Sequence, residues 1–306
     1  MQRMTTNKKY EVAYYHCPSC NRSTGDIQYE FETHSNIIKI YHCDACGLKF
    51  ARPIVLEDLS ERQMDSVEDA ELFDNKLLKK LHEHLIVKKE IRKVRTILGR
   101  KSFSMLDIGC GTGWTSSIWK KAGIDVTGLE PSPQRGKIAR EKYDLRIIPA
   151  FVEDMPMSER FDVIVMRHVL EHMAEPRKIL EKLSGHLRDG GLIVLVVPNI
   201  NCIGRYLFGT NWTWVLPWHC SFFSPRSLKT LAELSGFRKV QSYQAPSPLW
   251  YPESFLRLFP SWKSARSWVY GRLSIAALMP FAPLVLFGYL VGLSDNITLI
   301  AQKNMK

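Results

Sequence analysis

Residues 105–113 read MLDIGCGTG, and the fold follows from them. A short apolar run from Phe103 to Ile108 ends in Gly109, Gly111 and Gly113 at alternate positions, then passes into the helical stretch WTSSIWKKAG. Strand, glycine turn and helix in that order form the unit from which nucleotide-binding α/β folds are built. Glycines let the backbone approach a ligand closely, and the following helix offers unpaired N–H groups at its N-terminus. Downstream, DVTGLEPS at 125–132 predicts a second strand that ends at Glu130, 17 residues beyond Gly113. A carboxylate at that place can accept two hydrogen bonds from ribose hydroxyls.

A dinucleotide site would prefer G-x-G-x-x-G with a diphosphate on the helix. D-x-G-x-G-x-G instead resembles motif I of the class I S-adenosylmethionine (SAM)-dependent methyltransferases, and further motifs follow in order. VEDMP at 152–156, FDVIVMRHVLEHMAEP at 161–176, RDGGLIVLVVPN at 188–199 and HCSFFSPRSLKTLAELSGF at 219–237 resemble the family's later strands and helices, with NITLIAQK supplying a last strand at Asn296 to Ala301. The resemblance implies an α/β fold, a Rossmann-like seven-stranded sheet with helices on both faces, and SAM as cofactor. It implies Asp107, Gly109, Cys110, Gly111 and Gly113 around the methionine part of SAM and Glu130 on its ribose. Many relatives bind the adenine amino group with an Asp where this chain has Phe151, so backbone N–H groups and apolar packing around Phe151 and Val152 are expected to hold the adenine. Arg167 and His168, at the end of the fourth strand, are expected to line the cofactor.

RHVLEH at 167–172 contains H-x-x-E-H, a spacing that elsewhere marks an inverted zinc-protease site. Here it directly follows a predicted buried strand, Asp162 to Met166, in the place where methyltransferases form the wall between SAM and acceptor, and the protease reading falls away. HVLEH also resembles the E-x-x-E-H of quinone O-methyltransferases, in which acidic residues and a His can hold a divalent ion; His168 replaces the first acid. Packing or capping is the plainer role for His172, and lining the cleft the plainer role for His168.

Methyl transfer from a sulfonium is largely a matter of alignment, and a hydroxyl acceptor also benefits from a general base. Histidine suits that role, and the candidates are His168, His172 and His219. His219, in LPWHCSFF, is favoured because it follows the fifth strand at the carboxyl edge of the sheet, where open α/β folds bind ligands; a bond to a loop carbonyl is the structural alternative. Trp212, Trp214, Trp218, Phe222 and Phe223 form an aromatic cluster suited to an acceptor pocket, to stacking on a sugar ring or to a membrane interface, with core packing as the alternative.

Toward the N-terminus, CPSC at 17–20 and CDACG at 43–47 give C-x2-C, 22 intervening residues, and C-x2-C. Cys17, Cys20, Cys43 and Cys46 are expected to hold a structural Zn2+ in a zinc ribbon, with a two-strand hairpin between the knuckles and Gly47 at positive φ. His16, His34 and His42 are not expected to be ligands. The expected organisation is a zinc-ribbon module at 1–55, a helical linker or lid at 56–100, and a methyltransferase domain at 101–306 with an apolar insertion at about 247–293. Leu72, Leu77, Leu81, Leu85, Ile91, Val94 and Leu98 mark the core face of the linker helices.

The 306-residue chain carries 42 Lys and Arg against 31 Asp and Glu, without a concentrated basic stripe. Paired and lone thiols, with no apolar leader, point to the cytoplasm. From Ile275 to Leu293 no residue is charged, which reaches the length of a transmembrane candidate. A final strand inside the sheet would place both ends on one side, and Pro280 and Pro283 interrupt a helix, so a surface-lying or re-entrant hairpin at the inner face of the cytoplasmic membrane is expected rather than a span; burial in protein is the alternative. The apolar segment points to an amphiphilic acceptor, and the chain resembles methyltransferases of bacterial cell-surface polysaccharide pathways, a resemblance that implies methyl transfer onto a hydroxyl of a lipid-linked glycan. The alternatives are a zinc-bearing RNA methyltransferase and a non-catalytic SAM-binding scaffold.

Overall fold

The computed structural model describes residues 15–32, 37–54, 76–155, 158–246, 250–259 and 278–304. Leu72, His34 and much of the apolar insertion lie outside the described residues. Five short strands come first: β1 (Tyr15–His16), β2 (Ser23–Thr24), β3 (Ile27–Glu32), β4 (Ile37–His42) and β5 (Lys49–Arg52). The two C-x2-C turns sit before β2 and between β4 and β5, and β3 pairs with β4 as the expected hairpin.

Two further groups of strands, β6 (Ser104–Ile108), β7 (Asp125–Leu129), β8 (Arg146–Ile148), β9 (Phe161–Arg167) and β10 (Leu187–Pro198), then β12 (Phe237–Ala245) and β13 (Asn296–Lys303), build a seven-stranded sheet in the order β12-β13-β10-β9-β6-β7-β8. Strands β6 to β10 run parallel, and β13 enters antiparallel between β10 and β12. This is the expected α/β sheet. Its central strands read as near-continuous aliphatic runs, IVLVV in β10 above all, because both faces are covered. Side chains alternate between two cores: Leu106, Ile164 and Leu195 face one side, Met105, Val163 and Val194 the other.

On the second core, α1 (Lys76–His82) continues through a π-turn at Glu83–Val87 into α2 (Lys88–Leu98), and the core is covered from Val87 onward by that run, α3 (Trp114–Lys121) and α4 (Pro133–Tyr143). The first core is covered by α5 (Pro176–Gly185), α7 (Pro225–Leu234) and the cysteine-rich strands. Between α5 and α7 lie β10, α6 (Ile203–Phe208) and β11 (Ser221–Phe222); α8 (Trp250–Arg257) and α9 (Ala282–Leu290) come between β12 and β13.

The linker helix differs from its sequence pattern. Leu81 and Leu85 are exposed, whereas Val87, Ile91 and Val94 are buried. A π-turn accommodates one extra residue, so it rotates the apolar stripe after residue 83 out of phase with the stripe before it. The N-terminal strands are also not a free-standing module: β11 pairs antiparallel with β5, so their sheet has the order β11-β5-β4-β3 and takes its last strand from the C-terminal half of the chain.

Candidate active site

The glycine turn occupies the carboxyl end of β6, between β7 and β9, where strand order reverses and an open crevice forms. Gly109, Gly111 and Gly113 all have positive φ. A Cβ at Gly109 would come within 2.6 Å of Val169, and one at Gly113 within 2.6 Å of Leu145, whereas one at Gly111 would meet nothing within 4 Å. The outer two glycines are therefore required by packing, and Gly111 fronts open space, as a cofactor cradle demands. Cys110 turns inward, its sulfur 2.5 Å from where a Cβ on Gly128 would stand.

Glu130 is buried at the end of β7 and its two oxygens accept from the amides of Gly111, at 2.8 Å, and Ser132, at 2.9 Å. The carboxylate is thus locked at the rim of the cradle with lone pairs to spare for a diol. Asp107 accepts from Ser116 Oγ at 2.5 Å, and burial pushes its carboxyl up to about 6. Phe151 is half exposed beside the buried Val152. SAM fits these groups: an unfilled cradle at Gly111, a fixed acid at Glu130, and an apolar shelf at Phe151 and Val152.

Arg167, its side chain 14% exposed, is ion-paired with the wholly buried Glu90 of α2, and its charge also stabilises that of Asp107 beside the glycine turn. The same helical run brings in a group that sequence reasoning missed: the His82 ring packs on Trp114 at 5.5 Å, and burial, with Arg167 and His168 adding to it, lowers its pKa to about 3.

Beyond β9 the chain does not enter a helix at once. His168 takes a left-handed conformation, φ 53°, before a single 3-10 turn at Leu170–His172. This kink turns the His168 ring onto Trp214, stacked at 4.8 Å and 4°. Glu171, 1% exposed, lines a small cavity with Pro198, Asn199, Ile200, Trp212, Trp214 and His219, and Ser221 and Phe222 of β11 complete it. Trp212, Trp214 and Phe222 thus line the cavity, whereas Phe223 belongs to the main core.

Both oxygens of Glu171 lack a hydrogen-bond partner, as do His172 Nδ1 and His219 Nε2. Glu171, His172 and His219 offer ligand atoms within 4.8 Å of one another, and the rings of the two histidines lie 4.7 Å apart, edge to face. His219 Nδ1 bonds the carbonyl of Trp214 at 2.9 Å, which makes Nδ1 the donor and leaves Nε2 a bare acceptor aimed into the cluster. Burial lowers the pKa of His219 to about 3 and pushes that of His172 down as well. Burial pushes the Glu171 carboxyl up, but His168, 3.4 Å away, and the two other histidines outweigh it and hold the group below the usual range. A buried carboxylate that meets His168 at ion-pair distance without a well-formed hydrogen bond, beside bare imidazole nitrogens, is an incompletely satisfied site, open to a hydroxyl or a cation. Sequence reasoning passed over Glu171 although it stands inside the H-x-x-E-H stretch.

Cys17 and Cys46 sulfurs lie 3.5 Å apart, as do those of Cys20 and Cys43, and all four fall within 4.8 Å of one another. Tetrahedral ligands at about 2.3 Å from Zn2+ lie roughly 3.8 Å apart, so the set fits the metal. The Cys17 thiol lowers Cys46 to about 5 and is itself pushed up in return. His42 faces Asp44 at 3.1 Å and lies outside this set.

A family model described as a methyltransferase domain matches residues 75–242. A ubiquinone biosynthesis O-methyltransferase of Nitrobacter winogradskyi is 33% identical over 115 residues, 36% of this chain and 44% of the relative. One from Coxiella burnetii is 27% identical over 203 residues, 59% of this chain and 85% of the relative. The chain spans about half the length of the first curated relatives it matches, from 44% to 60%. Among solved structures, the YcgJ protein of Bacillus subtilis superposes with a TM-score of 0.50 at 15% identity, over 73% of this chain and all of that one, a likeness of fold.

Proposed function

The chain belongs to the methyltransferase-domain family, and on that premise we propose that it transfers the methyl group of SAM to a hydroxyl of an amphiphilic, ring-bearing acceptor, a lipid-linked glycan at the cytoplasmic membrane face being the class we favour. The observation that carries this reading is Glu171, a buried carboxylate whose oxygens make no well-formed hydrogen bond and meet His168 at 3.4 Å, in a cavity lined by Trp212, Trp214, His219 and Phe222.

SAM, when bound, supplies an activated methyl on a sulfonium. The chain's own residues do the rest. Gly111 makes room for the cofactor, Glu130 holds its ribose, and Phe151 and Val152 shelter its adenine. Trp212, Trp214 and Phe222 wall the space beside Glu171 and exclude water, which strengthens each polar contact inside. Glu171 accepts the acceptor's O–H and takes its proton as the methyl bond forms, and His219 Nε2 accepts a second hydroxyl hydrogen bond. The base is assigned to Glu171 on geometry, since Nδ1 of His219 is committed to the Trp214 carbonyl; His219, expected as the base from the sequence, stands in the same cluster. Arg167 is assigned to holding α2 in place.

Glu171, His172 and His219 also fit a divalent ion, one carboxylate and two imidazoles with room for a further ligand. Such an ion would lower the pKa of a bound hydroxyl. Cys17, Cys20, Cys43 and Cys46 are assigned to a structural Zn2+. A quinone-type phenol is the second acceptor class, favoured by the relatives named ubiquinone biosynthesis O-methyltransferases; neither the RNA nor the scaffold alternative has an observation of this kind behind it. Carbon NMR of the product made from methyl-labelled SAM tests the reading: a methoxy signal supports it, and an N-methyl or C-methyl signal contradicts it.

A further inference from the structure

One face of the cysteine-rich sheet packs into the main core through Phe50, and the opposite face carries two cations without an acid. Residues opposite each other on neighbouring strands project to the same side. Tyr29, Ile40 and Ala51 are aligned across β3, β4 and β5, and Lys49 is aligned with Phe222 across β5 and β11. Lys49 and Ala51 are two apart on β5, so all five share this second face. Here Ile40, Ala51 and Phe222 form a small apolar cluster with Ile200, and Tyr29 packs against it. Arg205 of α6 reaches the edge of the cluster: its guanidinium carbon lies 4.7 Å from the centre of the Tyr29 ring, and Lys49 Nζ lies 6.0 Å from the same point. Burial and the charge of Arg205 both push the pKa of Lys49 down, with no carboxylate opposing them. The neighbouring charges are spoken for, since His42 meets Asp44 at 3.1 Å and Lys39 meets Glu30 at 3.4 Å. The Tyr29 hydroxyl and Arg205 Nε are buried, and neither makes a well-formed hydrogen bond, although the Arg205 charge acts on the hydroxyl. Like charges held together over buried, unsatisfied donors describe a site that lacks an anion.

Charge and donor number select the anion. A carboxylate brings a single charge and two oxygens. A phosphate monoester carries a charge of about −1.5 to −2 at pH 7 and offers three terminal oxygens, enough for the Tyr29 hydroxyl, the Lys49 ammonium and the planar fork of Arg205 together. Position connects the site to the chemistry. Phe222 and Ile200 belong to the apolar cluster beneath the cations and also line the cavity that holds Glu171. A ligand with its phosphate on Lys49 and Arg205 therefore has Phe222 and Ile200 between that phosphate and the cavity.

We propose that Lys49, Arg205 and the Tyr29 hydroxyl form a subsite for a phosphate group carried by the acceptor whose hydroxyl reaches Glu171. The subsite stands on the cation pair itself; that its phosphate belongs to the acceptor rests in addition on the acceptor reading above. The test is phosphorus NMR titration of the full chain with inorganic phosphate at fixed ionic strength, with melting temperature and SAM affinity measured on the same samples. Wild type is expected to bind phosphate; Lys49→Gln and Arg205→Gln should each weaken binding about tenfold or more, and Tyr29→Phe a few-fold, with SAM affinity unchanged. Without phosphate, Lys49→Gln should melt no lower than wild type, because one of two repelling charges is gone, and added phosphate should raise the melting temperature of wild type alone. No phosphate binding, binding that the variants leave untouched, or both charge variants melting lower without phosphate, the mark of a pair that only holds α6 onto the sheet, would overturn the subsite. A second arm locates the phosphate's source: phosphate at about ten times its dissociation constant should lower methyl transfer from labelled SAM to a total lipid extract about tenfold, by competition with the acceptor. Phosphate that binds without slowing transfer would keep the subsite and overturn its link to the acceptor. Phosphate binding that persists where SAM binding fails would count against the methyltransferase reading and leave the subsite intact.

Discussion

The backbone amide of Ala51, in the cysteine-rich sheet, donates to the carbonyl of Cys220 at 3.0 Å. Cys220 in turn donates its own amide to the carbonyl of Glu171 at 2.8 Å, and on either side of it stand His219 and Ser221 of the cavity wall. Two hydrogen bonds thus run from the strand beside the Cys43–Cys46 turn to the residue that carries the unsatisfied carboxylate. Stripping Zn2+ with a chelator, or the substitution Cys43→Ser, is expected to lower acceptor turnover by about tenfold or more while changing SAM affinity by less than about twofold, by analogy with the cost of losing outer supports of a site. Metal analysis, turnover and calorimetry on the same sample check this. SAM affinity that falls in step with turnover would show that the sheet supports the whole fold and not the cavity wall.

Glu171→Gln keeps the shape of the side chain and removes the charge and the proton acceptor. Turnover is expected to fall by about a hundredfold or more, the usual contribution of a positioned base, with SAM affinity retained. A variant within a few-fold of wild type would remove Glu171 from the chemistry. His219→Ala, if Nε2 only orients the acceptor, should raise KM more than it lowers kcat.

Glu90, wholly buried, and Arg167, with a side chain 14% exposed, pair α2 to the end of β9. Removing one partner leaves the other charge uncompensated, a cost of about 3–5 kcal/mol. Urea unfolding of Glu90→Gln should show a loss of that order, and a Glu90→Gln/Arg167→Met double variant should recover much of it. A loss near zero would mean that the pair is solvated.

Burial raises the pKa of the Asp107 carboxyl to about 6. In the free protein its stabilising contribution is therefore fully present below its ordinary value near 4 and is lost as pH rises through about 6. The cationic sulfonium and amino group of SAM favour the ionised form, so SAM affinity should fall as pH drops through about 6, by up to tenfold per pH unit. Calorimetry between pH 5 and pH 8 reads the slope, and Asp107→Asn should flatten it.

The parallel sheet, its glycine turn and the last strand at Asn296 were legible because each depends on local pattern: aliphatic runs, alternate glycines, and a fixed interval to Glu130. What the sequence did not reveal depends on contacts distant along the chain. Arg167 stood in a cofactor motif, and nothing local says that Glu90, 77 residues earlier, captures it. The pairing of β5 with β11 joins segments about 170 residues apart, so the cysteine-rich segment read as separate. Leu81 and Leu85 misled because one π-turn rotates the stripe. Glu171 was visible, but its burial without a well-formed hydrogen bond, which makes it chemically significant, is a property of the closed cavity alone.

The most direct test of the central claim is to incubate the purified chain with methyl-labelled SAM and a total cell extract, then partition the label among lipid, glycan, RNA and protein. Label in the lipid or lipid-linked glycan fraction, lost when Gly111→Arg fills the cofactor cradle, is the expected result. Label in RNA or protein, or label that survives Gly111→Arg, would contradict the account.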